Sequence, residues 1–324
     1  MKAVLFVIAC LIAAAVAAPL SDSQYQFLFS KFVEQYNKQY EINDFFTKFN
    51  TFKSNLDLIV AHNAQNLSYK MGVNQFTDYT QAEFNQMMGL RTELAQPYAL
   101  SQLEHKIAPI STNGDWKTTN WSSKMTPVKN QASCGSCWAF SAIASVEFEN
   151  TLKTGQIVDL SEQQLVDCSG STGNSGCNGG LMSNAFEYLK TAGSCKQTDY
   201  PGGYTAKDGK CQQCSASVRV TGYNTVPTTE DAHYTLVQDR VVSVALAASS
   251  SAFQFYKTGV VENCTDRSIN HGVTLVGSGN ENGKNYFLIR NSWGTSWGDN
   301  GFIKLGQGNQ CGLTTSRFDV TAKL

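Results

Sequence analysis

Gln131-Ala-Ser-Cys134-Gly-Ser-Cys137-Trp138-Ala-Phe-Ser141 sets a glutamine six residues ahead of a cysteine that opens an apolar stretch. From Trp138 to Lys153 the chain has neither Gly nor Pro, it carries Phe140, Ile143, Val146 and Phe148, and Gly155 stands where a helix would end. A thiol attacks only as thiolate, and the free N–H groups and positive end of a helix stabilise that anion. Cys137 is therefore read as a nucleophile at a helix start, and a cysteine endopeptidase is the leading hypothesis.

The ends and the cysteine count agree with this. Lys2 followed by the apolar run Ala3 to Ala18 is too short to span a bilayer and fits a secretory signal cut after Ala17. Loss of Cys10 with the signal turns 10 cysteines into an odd number, so in an oxidising compartment eight can pair and one stays free. With 25 basic and 26 acidic residues and no long basic run, nucleic-acid and membrane partners are disfavoured.

Residues from about 21 to 105 contain no cysteine, and Asn43 to Asn63 repeats apolar residues at helical spacing, which suggests a separate unit that is later discarded. Ser161 and Gln164 stand at capping-box spacing, with Leu160 and Leu165 as a hydrophobic staple, and another helix is expected over 181–191. After about Gly222 short β-rich runs follow, at 241–246, 272–276, 286–289 and 302–305. Helices first and strands later imply an α+β class with segregated halves.

The nucleophile needs a base, and beyond residue 108 only His233 and His271 are available. His233, within Thr228-Thr-Glu-Asp-Ala-His, reads as a solvent-facing or capping residue at a polar helix start. His271 enters an apolar run and would be held rigidly at a strand end. Asn291 taken alone reads as a turn residue. Joined to Cys137 and His271, it can accept the imidazole N–H and fix its tautomer.

Together these residues resemble the papain family of cysteine peptidases, cathepsin L-like branch. Cys-Gly-Ser-Cys-Trp matches the family signature, and His271 and Asn291 follow at 134 and 154 residues. Asp44, Lys48, Phe52, Asn55, Ile59 and Asn63 follow the branch's ERFNIN pro-segment spacing, with Asp and Lys in place of Glu and Arg. Gly72-x-Asn74-x-Phe76-x-Asp78 matches its second pro-segment motif.

The resemblance implies a signal (1–17), a helical inhibitory pro-segment (18–108) and a two-domain peptidase (109–324). In the peptidase a helical left domain over about 109–221 and a β-barrel-like right domain over about 222–324 flank a cleft. It implies a Cys137–His271 ion pair oriented by Asn291, with Trp293 shielding that bond and Gln131 supplying an oxyanion-hole amide. Gly179 and Gly180 would let substrate backbone approach, and Met182, Ala245, Asn270 and Ser316 would line a pocket for an apolar or aromatic residue two places before the cut. Asn270 replaces a common Asp, which would displace the limbs of the pH profile.

The same resemblance gives disulfides Cys134–Cys177, Cys168–Cys211 and Cys264–Cys311, and parity pairs Cys195 with Cys214. Asn66, Asn120 and Asn263 begin glycosylation sequons. No cofactor or metal is implied. Expected partners are peptide and protein substrates, the chain's own pro-segment and cystatin-like inhibitors, with a monomer as default and a lysosome-like acidic compartment or secretion as destination. Acid would loosen the pro-segment by protonating carboxylates. The rivals are a silent papain-like binding protein, a thiol-disulfide oxidoreductase using Cys134/Cys137 or Cys211/Cys214, and a zinc module, whose two Cys pairs lie too far apart.

Overall fold

A computed structural model describes residues 20–96 and 116–324. The expected signal cleavage after Ala17 and the expected maturation site near residue 108 lie outside the described residues. Helix α1 (Asp22–Gln35) starts at Ser21, whose hydroxyl accepts the Gln24 N–H while the Gln24 side chain accepts the Ser21 N–H, a reciprocal cap. Helix α2 (Ile42–Ala64) packs on it, and Leu28, Phe29 and Phe32 meet Phe52 and Leu56 in a small, largely aromatic core. Asn55 donates to the carbonyls of Thr77 and Tyr79, and Asn63 both donates to and accepts from the Met71 backbone. These amides bind α2 to strand β1 (Tyr69–Met71) and the turn after it. Asp78 in that turn takes Lys38 Nζ and the Tyr40 hydroxyl, each at 2.8 Å. A short helix α3 (Gln81–Asn85) follows, and Lys48 reaches its Glu83 at 2.7 Å.

Strand β2 (Thr119–Asn120) precedes the helical half, built from α4 (Cys137–Thr154), α5 (Glu162–Cys168) and α6 (Met182–Ala192). Most of α4 is buried on all sides, as expected of a central helix, and it ends where Gly155 adopts φ 77°. At α5 the Ser161 hydroxyl accepts the Gln164 N–H, but the reciprocal half of the expected box is absent. The buried Gln164 side chain turns to the Gly193 carbonyl and the Cys195 N–H instead, because two backbone groups there need partners.

The second half comprises β3 (Gly222–Thr225), α7 (Glu230–Val237), β4 (Val242–Leu246), α8 (Ser251–Gln254), β5 (Tyr256–Val261), β6 (His271–Glu281), β7 (Lys284–Arg290), β8 (Phe302–Gly306) and β9 (Val320–Lys323). Strand order is β1-β5-β8-β7-β6-β4-β9-β3, with β2 on β6, so the pro-segment strand β1 extends this sheet antiparallel to β5. The termini of the peptidase region cross over. Trp116 packs in the sheet-side core, whereas Val320 and Ala322 pack with Ile143, Val146 and Phe186 in the helical core.

His233 departs from its sequence reading. It is fully buried, with Nε2 2.8 Å from Asp319 and Nδ1 2.7 Å from the Thr229 carbonyl. Asp319 also accepts the Ala245 N–H, so the pair ties α7 to β4 and the chain's last turn. A buried polar group needs such partners, and this one arrives 86 residues later in sequence, beyond the reach of local pattern.

Candidate active site

Cys137 is the first residue of α4 and the free cysteine among the described residues. The other eight form the four expected bridges, Cys134–Cys177, Cys168–Cys211, Cys195–Cys214 and Cys264–Cys311. Neither C-x-x-C pair is joined internally, which removes the geometric basis of the redox reading. Nor do the described residues contain a His/Cys/Asp/Glu group suited to a metal ion.

His271 opens β6 and Asn291 directly follows β7, and the antiparallel pairing of these strands brings them together. Nε2 of His271 lies 2.8 Å from Asn291 Oδ1, leaving Nδ1 without a hydrogen-bond partner. The adjacent Gly272 N–H points at Cys137 Sγ at 3.4 Å. Trp293 stacks on the imidazole with ring centres 4.7 Å apart and an interplanar angle of 28°, covering the His271–Asn291 bond. Burial pushes the Cys137 thiol up to about 11, against the pull of backbone N–H groups of Gly272, Gly89, Trp138 and Cys137. Burial likewise lowers His271 to about 4, with Asn291 opposing. In this covered state thiol and imidazole are both neutral at pH 7.

The cover is the pro-segment itself. Gln131 Nε2 donates to the Met87 carbonyl at 3.1 Å and to the Cys134 carbonyl at 2.9 Å. Leu90 donates to the Asn270 carbonyl, while Gly180 receives Arg91 N–H and donates to the Gly89 carbonyl, a parallel bridge. The amide N–H of Gly89 faces the Cys137 sulfur. Leu90 is buried in one cluster with Met182 and Ala245. Ser316 is buried, and its hydroxyl accepts the Phe318 N–H. The glycines are needed for close approach. A Cβ on Gly89 would lie 1.8 Å from the Gly135 carbonyl oxygen, and one on Gly179 would lie 2.4 Å from Arg91 Cγ. Asn270 uses its uncharged amide to accept the Ala248 N–H.

Ser292 went unnoticed in the sequence. Its hydroxyl donates to Gln131 Oε1 at 2.6 Å, turning the amide NH₂ toward the cleft, and its N–H donates to Asn291 Oδ1. A serine between Asn291 and Trp293 gives no signal of its own. The sequon residues Asn66, Asn120 and Asn263 are all exposed, and Asn66 and Asn263 flank one groove where β1 meets β5.

Comparison with known proteins adds two family matches, "Papain family cysteine protease" over residues 110–321 and "Cathepsin propeptide inhibitor domain (I29)" over 29–84. Digestive cysteine proteinase 3 of Homarus americanus is 38% identical over 94% of this chain and 95% of its own. Thiol protease aleurain of Arabidopsis thaliana is 40% identical over 91% and 84%. Among solved structures, digestive procathepsin L 3 of Tenebrio molitor larval midgut aligns with a TM-score of 0.81 at 32% identity, covering 93% of this chain and 99% of that one. The proform of the ragweed pollen cysteine protease Amb a 11 aligns at 0.82 and 32%, covering 94% and 96%.

Proposed function

The chain belongs to the papain family of cysteine proteases and carries that family's propeptide inhibitor domain, and on this premise we propose that it is a secretory endopeptidase zymogen whose chemistry runs through Cys137, His271 and Asn291. Once the pro-segment leaves, water enters, the penalty on separated charge falls, and His271 Nδ1 takes the thiol proton. The thiolate attacks a peptide carbonyl. The oxyanion is held by Gln131 Nε2 and the Cys137 N–H. His271 then protonates the departing amine, giving a thioester at Cys137, and activates the water that hydrolyses it. Asn291 keeps the ring in the tautomer that leaves Nδ1 facing the reaction.

The observation that carries this reading is the Gln131 amide. Ser292 aims it into the cleft, and it already grips a peptide carbonyl, that of Met87. Burial of Leu90 against Met182 and Ala245 supports a preference for an apolar residue two places before the cut, with Asn270 and Ser316 completing the pocket. None of these side chains is charged, so Arg would be poorly accepted there. The maturation cut near residue 108, the acidic or extracellular destination, occupied glycans, cystatin-like inhibitors and a monomeric state belong to the same proposal.

The test is hydrolysis of a fluorogenic peptide with apolar P2 and basic P1 after acid processing. Activity should vanish on thiol alkylation and in Cys137→Ala. Processed, folded enzyme that hydrolyses nothing would instead make the chain a silent binding protein, and a substrate profile led by P2 Arg would overturn the pocket reading.

A further inference from the structure

We propose that Tyr204 is a positioning residue for the oxyanion site, its phenol clamping the Gln131 peptide to the start of helix α4. The hydroxyl donates to the Gln131 carbonyl at 2.8 Å and lies 2.7 Å from Ser136 Oγ, which can donate back to it. Ser136 occupies the N-cap position of α4 yet makes no side-chain cap. Its hydroxyl is spent on Tyr204 instead, so the phenol joins the Gln131 carbonyl to the residue just before Cys137.

The clamp has something to hold. Ala132, next to Gln131, sits at φ 52°, a left-handed conformation that strains a non-glycine residue. The turn survives because its groups are tied from several sides. Ala132 N–H goes to Asn130 Oδ1, Gln131 N–H to the Ser292 carbonyl, and Gln131 O to Tyr204. Tyr204 is the one of these ties that comes from the disulfide-rich loop after Tyr200. That loop is anchored beside it, where Gln163 accepts the Thr205 N–H and Asp167 accepts the Gly209 N–H, and the Cys168–Cys211 bridge closes it. The Tyr204 ring also stands edge-on to Phe140, with centres 4.9 Å apart, so removing the hydroxyl alone leaves the packing in place.

This inference rests on Gln131 serving as oxyanion donor, and the experiment separates the two. In enzyme expressed as the full chain and then processed, Tyr204→Phe should lower kcat roughly tenfold with KM within about twofold, since only transition-state stabilisation is touched. The pH profile and the rate of Cys137 alkylation by iodoacetate should stay unchanged. In a Gln131→Ala background the same substitution should cost less than about twofold, because the donor it positions is gone. Equal, additive losses in both backgrounds, or a loss in KM alone, would overturn the Tyr204 proposal. A Gln131→Ala enzyme with full kcat would overturn the oxyanion reading instead. Should Tyr204→Phe reduce the yield of folded zymogen, Ser136→Ala reports the same coupling, and its loss must also vanish with Gln131→Ala.

Discussion

The pro-segment and the peptidase body are held together by different chemistry. The body closes four disulfides, three in the helical half, and its buried His233–Asp319 pair is fully enclosed. The described pro-segment, residues 20–96, contains no cysteine. It relies on a small aromatic core, on Asn55 and Asn63 bonded to backbone, and on Lys38–Asp78 and Lys48–Glu83. Its last stretch, from Met87 to Leu94, is held by backbone bonds and by the buried side chains of Met87, Met88 and Leu90. The body is stapled covalently, and the pro-segment is fastened to it by noncovalent contacts alone, among them Phe76 and Phe84 packed on Trp293.

The contrast can be broken most severely in the body. Replacing Cys168 and Cys211 together by Ser should cost the mature enzyme about 3–4 kcal/mol in urea unfolding, given their separation of 43 residues. An unchanged midpoint would mean that the staple is not what holds the body. Next comes acid. His271 is held below its ordinary value by burial, so the covered, folded state binds fewer protons than the unfolded one. That share of stability is complete above about pH 6.5 and is lost as pH falls toward about 4, up to roughly 3 kcal/mol in all. Amide exchange at Leu90 and Arg91, whose N–H groups donate to the Asn270 and Gly180 carbonyls, should therefore accelerate across that window in Cys137→Ala zymogen. Exchange that is flat with pH would show that His271 does not sense the loss of cover.

A smaller effect is expected at the crossing itself. Gly89→Ala puts a methyl against the Gly135 carbonyl, where neither backbone can yield, and should weaken latency by about 1–3 kcal/mol, read as faster processing at pH 6. Processing at the parental rate would place the grip elsewhere. Lys53→Gln removes an exposed pair with Asp22 and should move zymogen stability by less than about 0.5 kcal/mol. A larger change would promote surface charge to a fastening of the pro-segment.

How far the sequence reached follows from the range of each interaction. Helix α4 was legible almost residue by residue, because its start at Cys137 and its stop at Gly155 are local events. The approach of His271 to Asn291 is expected from their conjunction with Cys137 and from family resemblance together, and the β6–β7 hairpin supplies it. His233 was misread because Thr, Thr, Glu and Asp before it resemble a wet helix start, while the residue that buries it, Asp319, comes from the far end of the chain. Tyr204 and Ser292 were invisible for the same reason. A hydroxyl acquires meaning only from what tertiary packing sets beside it.

The crossing of the two termini fixes a timetable. Val320 and Ala322 complete the core around α4, so the helical half cannot close until these two residues have left the ribosome. The pro-segment, by contrast, is finished first. The pro-segment's own aromatic core is thus synthesised before helix α4, whereas its grip on the cleft, through β1 on β5 and Phe76 and Phe84 on Trp293, must wait for the second half of the body.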